Sequence, residues 1–148
     1  MSARNRVEVM HGVNLDQLGR RPAAVYGELT YDRLQQKVDG YARDLGLQVR
    51  FFQTNAESEF VEHLHRLHGL SDAIVMNPGA WTHYAWAIRD ALEIAALPTV
   101  EVHLSDVASR EQWRQVSVVR ELCLATVSGQ GIEGYRAALE RLKEELDG

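Results

Sequence analysis

The sequence predicts an α/β fold: a doubly wound, five-stranded parallel sheet with helices on both faces. Short β-branched runs alternate with segments of helical period along the chain, the pattern of β-α-β units rather than of separate β and α blocks. The strand candidates are each short enough to be a buried central strand of such a sheet. No low-complexity tract, internal repeat or linker interrupts the alternation, so residues 1–148 are expected to form a single domain.

The elements follow in order. The strands are expected at Arg6–Met10, Gln48–Gln53, Ala73–Met76, Thr99–His103 and Leu122–Val127. After the first strand, Tyr31, Leu34, Val38, Tyr41, Ala42 and Leu45 keep a 3.6-residue period, with Thr30 as N-cap and Gly46 as stop. A second helix is expected over Ser58–His68, capped by Ser58 and ended by Gly69, and a third over Thr82–Ala95, stopping before Pro98. The last helix aligns Tyr135, Ala138, Leu139, Leu142 and Leu146. Right-handed crossovers make a flavodoxin-like strand order the simplest arrangement. Two connections are long. Asn14 to Leu29 spans about fifteen residues where about two to six are usual, which marks a lid, and Asp106–Val119 is expected to hold a short helix near Arg110–Gln115.

With 148 residues, 45% hydrophobic and 25% charged, the chain has material for one proper core. Its net charge of −5 gives no basic face for a phosphate backbone, so nucleic acid is not an expected partner. No apolar stretch is long enough to span a bilayer, and Met1–Val7 lacks the hydrophobic segment of a secretory signal. The single Cys123 provides neither a disulfide framework nor a thiolate zinc cluster. These features fit the cytoplasm. His63, His65 and His68 suggest a metal, but no third ligand at suitable spacing is evident, and Glu59, Glu62 and Arg66 on the same helix read as a solvated face.

Ligands of open α/β sheets bind beyond the carboxyl ends of the strands. Here those ends carry His11, Gly12 and Asn14; Asn55; Asn77, Pro78 and Gly79; and Glu101, His103 and Ser105. Glu101 and His103, two apart in a strand, point to the same side, so the carboxylate can orient the imidazole and stabilise its charged form. The lid adds Arg20, Arg21 and Tyr26, and the second long loop adds Arg114. An ordinary tyrosine hydroxyl ionises near pH 10, so a phenolate at pH 7 costs roughly 4 kcal/mol unaided. Neighbouring guanidinium groups offset that cost, which makes Tyr26 a candidate general base. Each feature has a plainer reading: Tyr26–Gly27 as a turn aromatic, Asn77–Pro78–Gly79 as a tight turn, Asn14 and Asn55 as Asx-turn residues, Glu101 with His103 as a structural pair, and Arg89 with Asp90 as a surface ion pair. Their convergence on one rim favours a site.

The segments His11 to Arg21, Val25-Tyr-Gly27, Gln53-Thr-Asn55, Asn77 to His83, Arg89 to Leu92, Glu101 to Ser105 and Arg110 to Arg114 occur in the order, and with the residues, that make the chain resemble the type II 3-dehydroquinate dehydratases. The resemblance covers nearly the whole chain. It implies a flavodoxin-like fold, a dodecamer built of trimers, no cofactor, and conversion of 3-dehydroquinate to 3-dehydroshikimate in aromatic amino-acid or quinate metabolism. It further implies that Tyr26 removes the C2 proton, that Arg21 stabilises its phenolate, that Asn14 holds a water at the enolate oxygen, and that His103, oriented by Glu101, protonates the departing C1 hydroxyl. Asn77, His83, Ser105 and Arg114, with the Leu104 and Ser105 amides, would bind substrate, and Asp90 would reach a neighbouring subunit's site. The unrelated imine route needs a lysine at the site, and Lys37 and Lys143 both fall within predicted helices.

The chain departs from the usual family pattern at His11 and Val13, where asparagine and proline are common, at Asp106 for asparagine, at Val116 for histidine, and at the bulky Tyr84–Ala85–Trp86. A binding module for a cyclic polyhydroxy acid is the alternative these departures raise. A flavodoxin or receiver role would need a phosphate-cradling loop or an acidic cluster after the first strand, and His11–Asn14 supplies neither.

Overall fold

The computed structural model describes residues 4–148, so the first three residues of the Met1–Val7 segment lie outside it. Strands β1 (Arg6–His11), β2 (Gln48–Gln53), β3 (Ala73–Asn77), β4 (Thr99–His103) and β5 (Ala125–Ser128) form one sheet in the order β2-β1-β3-β4-β5, every pairing parallel. This is the flavodoxin-like α/β architecture the sequence predicts. The helices are α1 (Ala23–Tyr26), α2 (Tyr31–Asp44), α3 (Glu57–Arg66), α4 (Trp86–Ala95) and α5 (Glu133–Asp147).

Alternation along each strand divides the core into two. Val7 and Val9 of β1, Val75 of β3 and Val100 and Val102 of β4 pack with Leu34 and Val38 of α2 and Leu139 and Leu142 of α5. Met10, Ile74 and Met76 face the other way, onto Phe60 and Leu64 of α3 and Ile88 and Leu92 of α4. Full burial of side chains of this size contributes about 1.5–3 kcal/mol each. The central strands β3 and β4 are buried at every residue, whereas edge strands β2 and β5 are only partly so.

Caps agree with the sequence at α2, where the Thr30 hydroxyl accepts from the Arg33 amide at 3.2 Å and Gly46, at φ 73°, ends the helix. Elsewhere the boundaries differ. Helix α3 begins at Glu57 with no side-chain cap from Ser58, because Thr54 accepts from the Ala56 amide at 3.1 Å instead. The predicted third helix is two pieces: a 3-10 turn over Gly79–His83, a break at Tyr84, and then α4. Tertiary bonds from Thr82 and His83 hold the first piece out of the helix axis. The fifth strand starts at Ala125, since Leu122 and Cys123 belong to a 3-10 turn and its exit and pack on the α3/α4 core. The helix expected near Arg110–Gln115 is a 3-10 turn over Gln112–Gln115. Among the described residues no helix is long and apolar enough to cross a membrane.

Candidate active site

A cavity of about 140 Å³ opens at the carboxyl ends of β1, β3 and β4, beneath the first long connection. Its floor depends on glycine: a Cβ on Gly12 would lie 2.1 Å from the Pro78 carbonyl oxygen, and one on Gly79, at φ 69°, would lie 2.5 Å from that of Val13. Only hydrogen at both positions lets the loops after β1 and β3 meet. Asn14, at φ 68°, follows in the left-handed conformation that asparagine tolerates, with its amide donating to Asn55 Oδ1 at 2.8 Å. Asn77 closes its own turn, Oδ1 accepting from the Gly79 amide at 3.1 Å. The tight-turn reading therefore holds at Asn77, whereas Asn14 makes no side-chain cap and Asn55 Oδ1 accepts from the distant Asn14 amide rather than closing an Asx turn; Asn14 and Asn77 both line the cavity.

The lid is more structured than its sequence suggests. Pro22 starts a single helical turn whose carbonyl accepts from the Val25 and Tyr26 amides, and Gly27, at φ 74°, ends it. That turn places the Tyr26 hydroxyl 2.5 Å from Arg21 Nη2 and 2.9 Å from Arg110 Nη1. Both guanidinium carbons also lie near the ring, 4.2 and 5.2 Å from its centroid. Arg20 does not join them; it turns outward to Gln17 at 2.7 Å. Arg110, which sequence reasoning did not single out, takes its place, and reaches Ser105 Oγ at 3.4 Å as well. Its only signal was a second cation in the loop that supplied Arg114.

Opposite the lid, His103 Nε2 lies 2.6 Å from Glu101 Oε2, which leaves Nδ1 for the cavity that His103 lines. Glu101 is fully buried, with Oε2 accepting from the Thr82 hydroxyl and Oε1 from Ser117 at 2.8 Å and Thr126 at 3.3 Å. Burial opposes its ionisation, but the bond and charge of His103 and the Thr82 and Ser117 hydroxyls more than offset this and hold the carboxyl below its ordinary range. Thr126 could have been found from the strand register, in which it faces Glu101; Ser117 gave no signal.

His83 and Arg114 complete the wall. His83 Nδ1 donates to the Val116 carbonyl at 2.7 Å, and burial chiefly lowers its basicity. Arg114 pairs with Glu111 and lies 4.1 Å from the Trp113 ring centroid. Leu104 and Ser105 also line the cavity; their carbonyls are taken by the Gly131 and Gly129 amides. Asp90 is exposed on α4, outside the cavity, and Arg89 pairs with Glu121 rather than with it. His65 and His68 are exposed, and no group of three or more potential metal ligands occurs among the described residues. Lys37 and Lys143 do not line the cavity.

The family model described as Dehydroquinase class II matches residues 5–143. The chain belongs to the class II dehydroquinase family. Within it, this dehydroquinase is similar to the 3-dehydroquinate dehydratase of Thermotoga neapolitana, 47% identical over 92% of each chain. It is 44% identical to that of Thermotoga maritima, over 96% of this chain and 97% of the relative. The crystal structure of a type II dehydroquinase from Propionibacterium acnes superposes with a TM-score of 0.90 at 38% identity, covering 97% of this chain and 99% of that one.

Proposed function

We propose that this dehydroquinase converts 3-dehydroquinate to 3-dehydroshikimate by loss of water through an enolate, with Tyr26 as base and His103 as acid. The relatives' activity supports the reaction, and one geometric observation carries the mechanism: the Tyr26 hydroxyl lies between two guanidinium groups across a cavity from a carboxylate-bound histidine. Two cations on one phenolic oxygen favour the phenolate, and a lid that excludes water strengthens the attraction. The phenolate removes a proton from C2, and the electron pair moves onto the C3 ketone oxygen, where Asn14 holds a stabilising water. The Glu101 carboxylate on Nε2 favours the doubly protonated His103 ring, whose Nδ1–H then faces the cavity. As the enolate collapses, the C1–O bond breaks, the Nδ1 proton goes to the departing hydroxyl, and water leaves as the C1–C2 double bond forms. Proton transfer from the Tyr26 phenol back to His103 restores the starting state.

Neutral His83, with Nδ1–H committed to Val116, offers Nε2 as acceptor to a substrate hydroxyl. Arg114, Asn77, Ser105 and the Leu104 and Ser105 amides bind the carboxylate and remaining hydroxyls. Each role falls to a side chain or amide of this chain, and none is assigned to a cofactor. The chain acts as one catalytic domain in the cytoplasm, in aromatic amino-acid biosynthesis or quinate breakdown. It assembles as a homo-oligomer, a dodecamer of trimers, with Asp90 reaching a neighbour's site. Trp86, Asp90 and Ile94, spaced four apart, form one exposed stripe on α4, with Trp86 63% and Ile94 66% exposed, which supports burial of that face in an assembly.

The test is to incubate purified protein with 3-dehydroquinate and follow the ultraviolet absorbance of the conjugated enone. Steady growth of the signal is expected; no product at high enzyme concentration would end the proposal.

A further inference from the structure

The proposed reaction gives no part to the three hydroxyls around Glu101, and one of them arrives from outside the sheet. Ser117 lies near the end of the second long connection, the segment that also carries Arg110 and Arg114. Its neighbour Val118 pins the backbone there, the amide donating to the Thr82 carbonyl and the carbonyl accepting from Arg89 Nη1, both at 2.8 Å. The Arg120 amide donates to Ser117 Oγ at 3.1 Å, so that oxygen is already an acceptor and its own proton is left for the carboxylate. Ser117 Oγ lies 2.8 Å from Oε1 and 3.0 Å from Oε2. Thr82 reaches only Oε2 and Thr126 only Oε1, so Ser117 is the hydroxyl that grips both oxygens.

A single proton lies between Glu101 Oε2 and His103 Nε2, 2.6 Å apart, and it can rest on either atom. On oxygen it makes a neutral pair, and Nδ1–H then belongs to an uncharged imidazole, a very weak acid. On nitrogen it makes an ion pair, and Nδ1–H belongs to an imidazolium, an acid in the ordinary histidine range. Glu101 is fully buried, and burial by itself favours the neutral pair. Hydrogen bonds to the carboxylate work the other way. An ionised carboxylate offers about four lone-pair sites, and the His103 N–H with the Thr82, Ser117 and Thr126 hydroxyls fills them. Every partner of Glu101 can therefore donate, which is the arrangement that suits the ionised form.

We infer that Ser117 is a positioning residue for the acid step: its hydroxyl keeps the proton shared by Glu101 and His103 on the imidazole, so that the ring meets the departing hydroxyl as an imidazolium. The inference rests on the dehydratase reading for the step it serves, and on the hydrogen-bond geometry alone for the place of the proton. Ser117 touches no substrate atom and acts through Glu101.

Nitrogen NMR of labelled protein and a pair of variants test it. At about pH 7, His103 Nε2 is expected to show the shift of a protonated ring nitrogen, and Ser117→Ala is expected to move that shift toward the unprotonated range. An unprotonated Nε2 in the parent, or a shift that Ser117→Ala leaves in place, overturns the inference. In Ser117→Ala kcat is expected to fall about ten- to a hundredfold, the effect of one hydrogen bond to a charged group, with KM within about threefold. A loss confined to KM, or none at all, overturns it. In a Glu101→Gln background the same change should cost less than about threefold, because the carboxylate through which Ser117 acts is gone; a full further loss would place the effect elsewhere and overturn it. Should the unsubstituted protein show no dehydration at all, the dehydratase reading fails, and the Nε2 shift still decides where the proton lies.

Discussion

Arg110 Nη1 lies 2.9 Å from the hydroxyl of Tyr26, a residue 84 positions earlier in the chain, and the same guanidinium reaches Ser105 beyond the end of β4. One side chain thus does two things: it stabilises negative charge on the phenolic oxygen and ties the lid to the sheet. Replacing Arg110 by methionine is expected to lower kcat by about ten- to a hundredfold, the consequence of losing one charge-assisted contact of about 1.5–3 kcal/mol. It should also raise KM, because the lid loses an anchor. Steady-state kcat and KM of the variant beside the parent check this; a variant as fast as the parent contradicts it.

Glu101 is held by three hydroxyls and one imidazole, so it acts as a fixed anion rather than a mobile acid. Glu101→Gln preserves shape but removes the charge that favours protonated His103. A fall in kcat of about a hundredfold or more is expected, with product binding largely retained. Calorimetry with product beside turnover assays separates the two effects. Equal losses in binding and rate would mean that Glu101 serves only the fold.

Acid should destabilise the protein through His11. The unfolded histidine binds a proton near pH 6.5, whereas the buried ring does not until about pH 3, so between these values the unfolded state holds the extra proton. The stabilisation is complete above about pH 6.5 and is lost as pH falls toward 3, on the order of 5 kcal/mol in total. Glu101, with its carboxyl held below the ordinary range, adds in the same direction at lower pH. Urea unfolding at several pH values should show His11→Gln with a shallower dependence, by up to about 1.4 kcal/mol per pH unit. Parallel curves for the two proteins would remove His11 as the cause.

Two glycines make a paired test. A Cβ at Gly12 would overlap the Pro78 carbonyl, so Gly12→Ala must displace the loops that carry Asn14 and Asn77; a stability loss of about 1–3 kcal/mol and a large loss of activity are expected. Gly40 lies inside α2 with open space around it, so Gly40→Ala should stabilise by about 0.5–1 kcal/mol without affecting rate. Melting temperatures and kcat for both variants suffice, and matching behaviour at the two positions would refute the packing argument.

Much of this was legible because it follows from periodicity. The α2 stripe with its Thr30 cap, the buried runs of β3 and β4, and the Glu101–His103 pair all rest on residues a fixed number of positions apart. Tyr26 beside Arg21 was legible because both sit in one lid loop and match the family's motif, not from any period. What was missed depends on long-range placement. Arg110 and Ser117 reach their partners from irregular loops with no period to read, and the outward turn of Arg20 is set by its local bond to Gln17. The start of β5 was misplaced because Leu122 and Cys123 are as apolar as a strand but pack from a turn. The split before α4 arises where Thr82 and His83 bond to Glu101 and Val116, and such contacts override local propensity.

The central claim is that the oxygen of Tyr26 takes the proton from carbon. The most direct measurement is a single-turnover experiment on Tyr26→Phe, paired with calorimetry of ligand binding to the same protein. The account predicts binding within a few-fold of the parent and a chemical step slowed by at least about 10²–10⁴, the contribution of a positioned general base. A variant that still forms enone at close to the parental rate would contradict it and move the base elsewhere in the cavity.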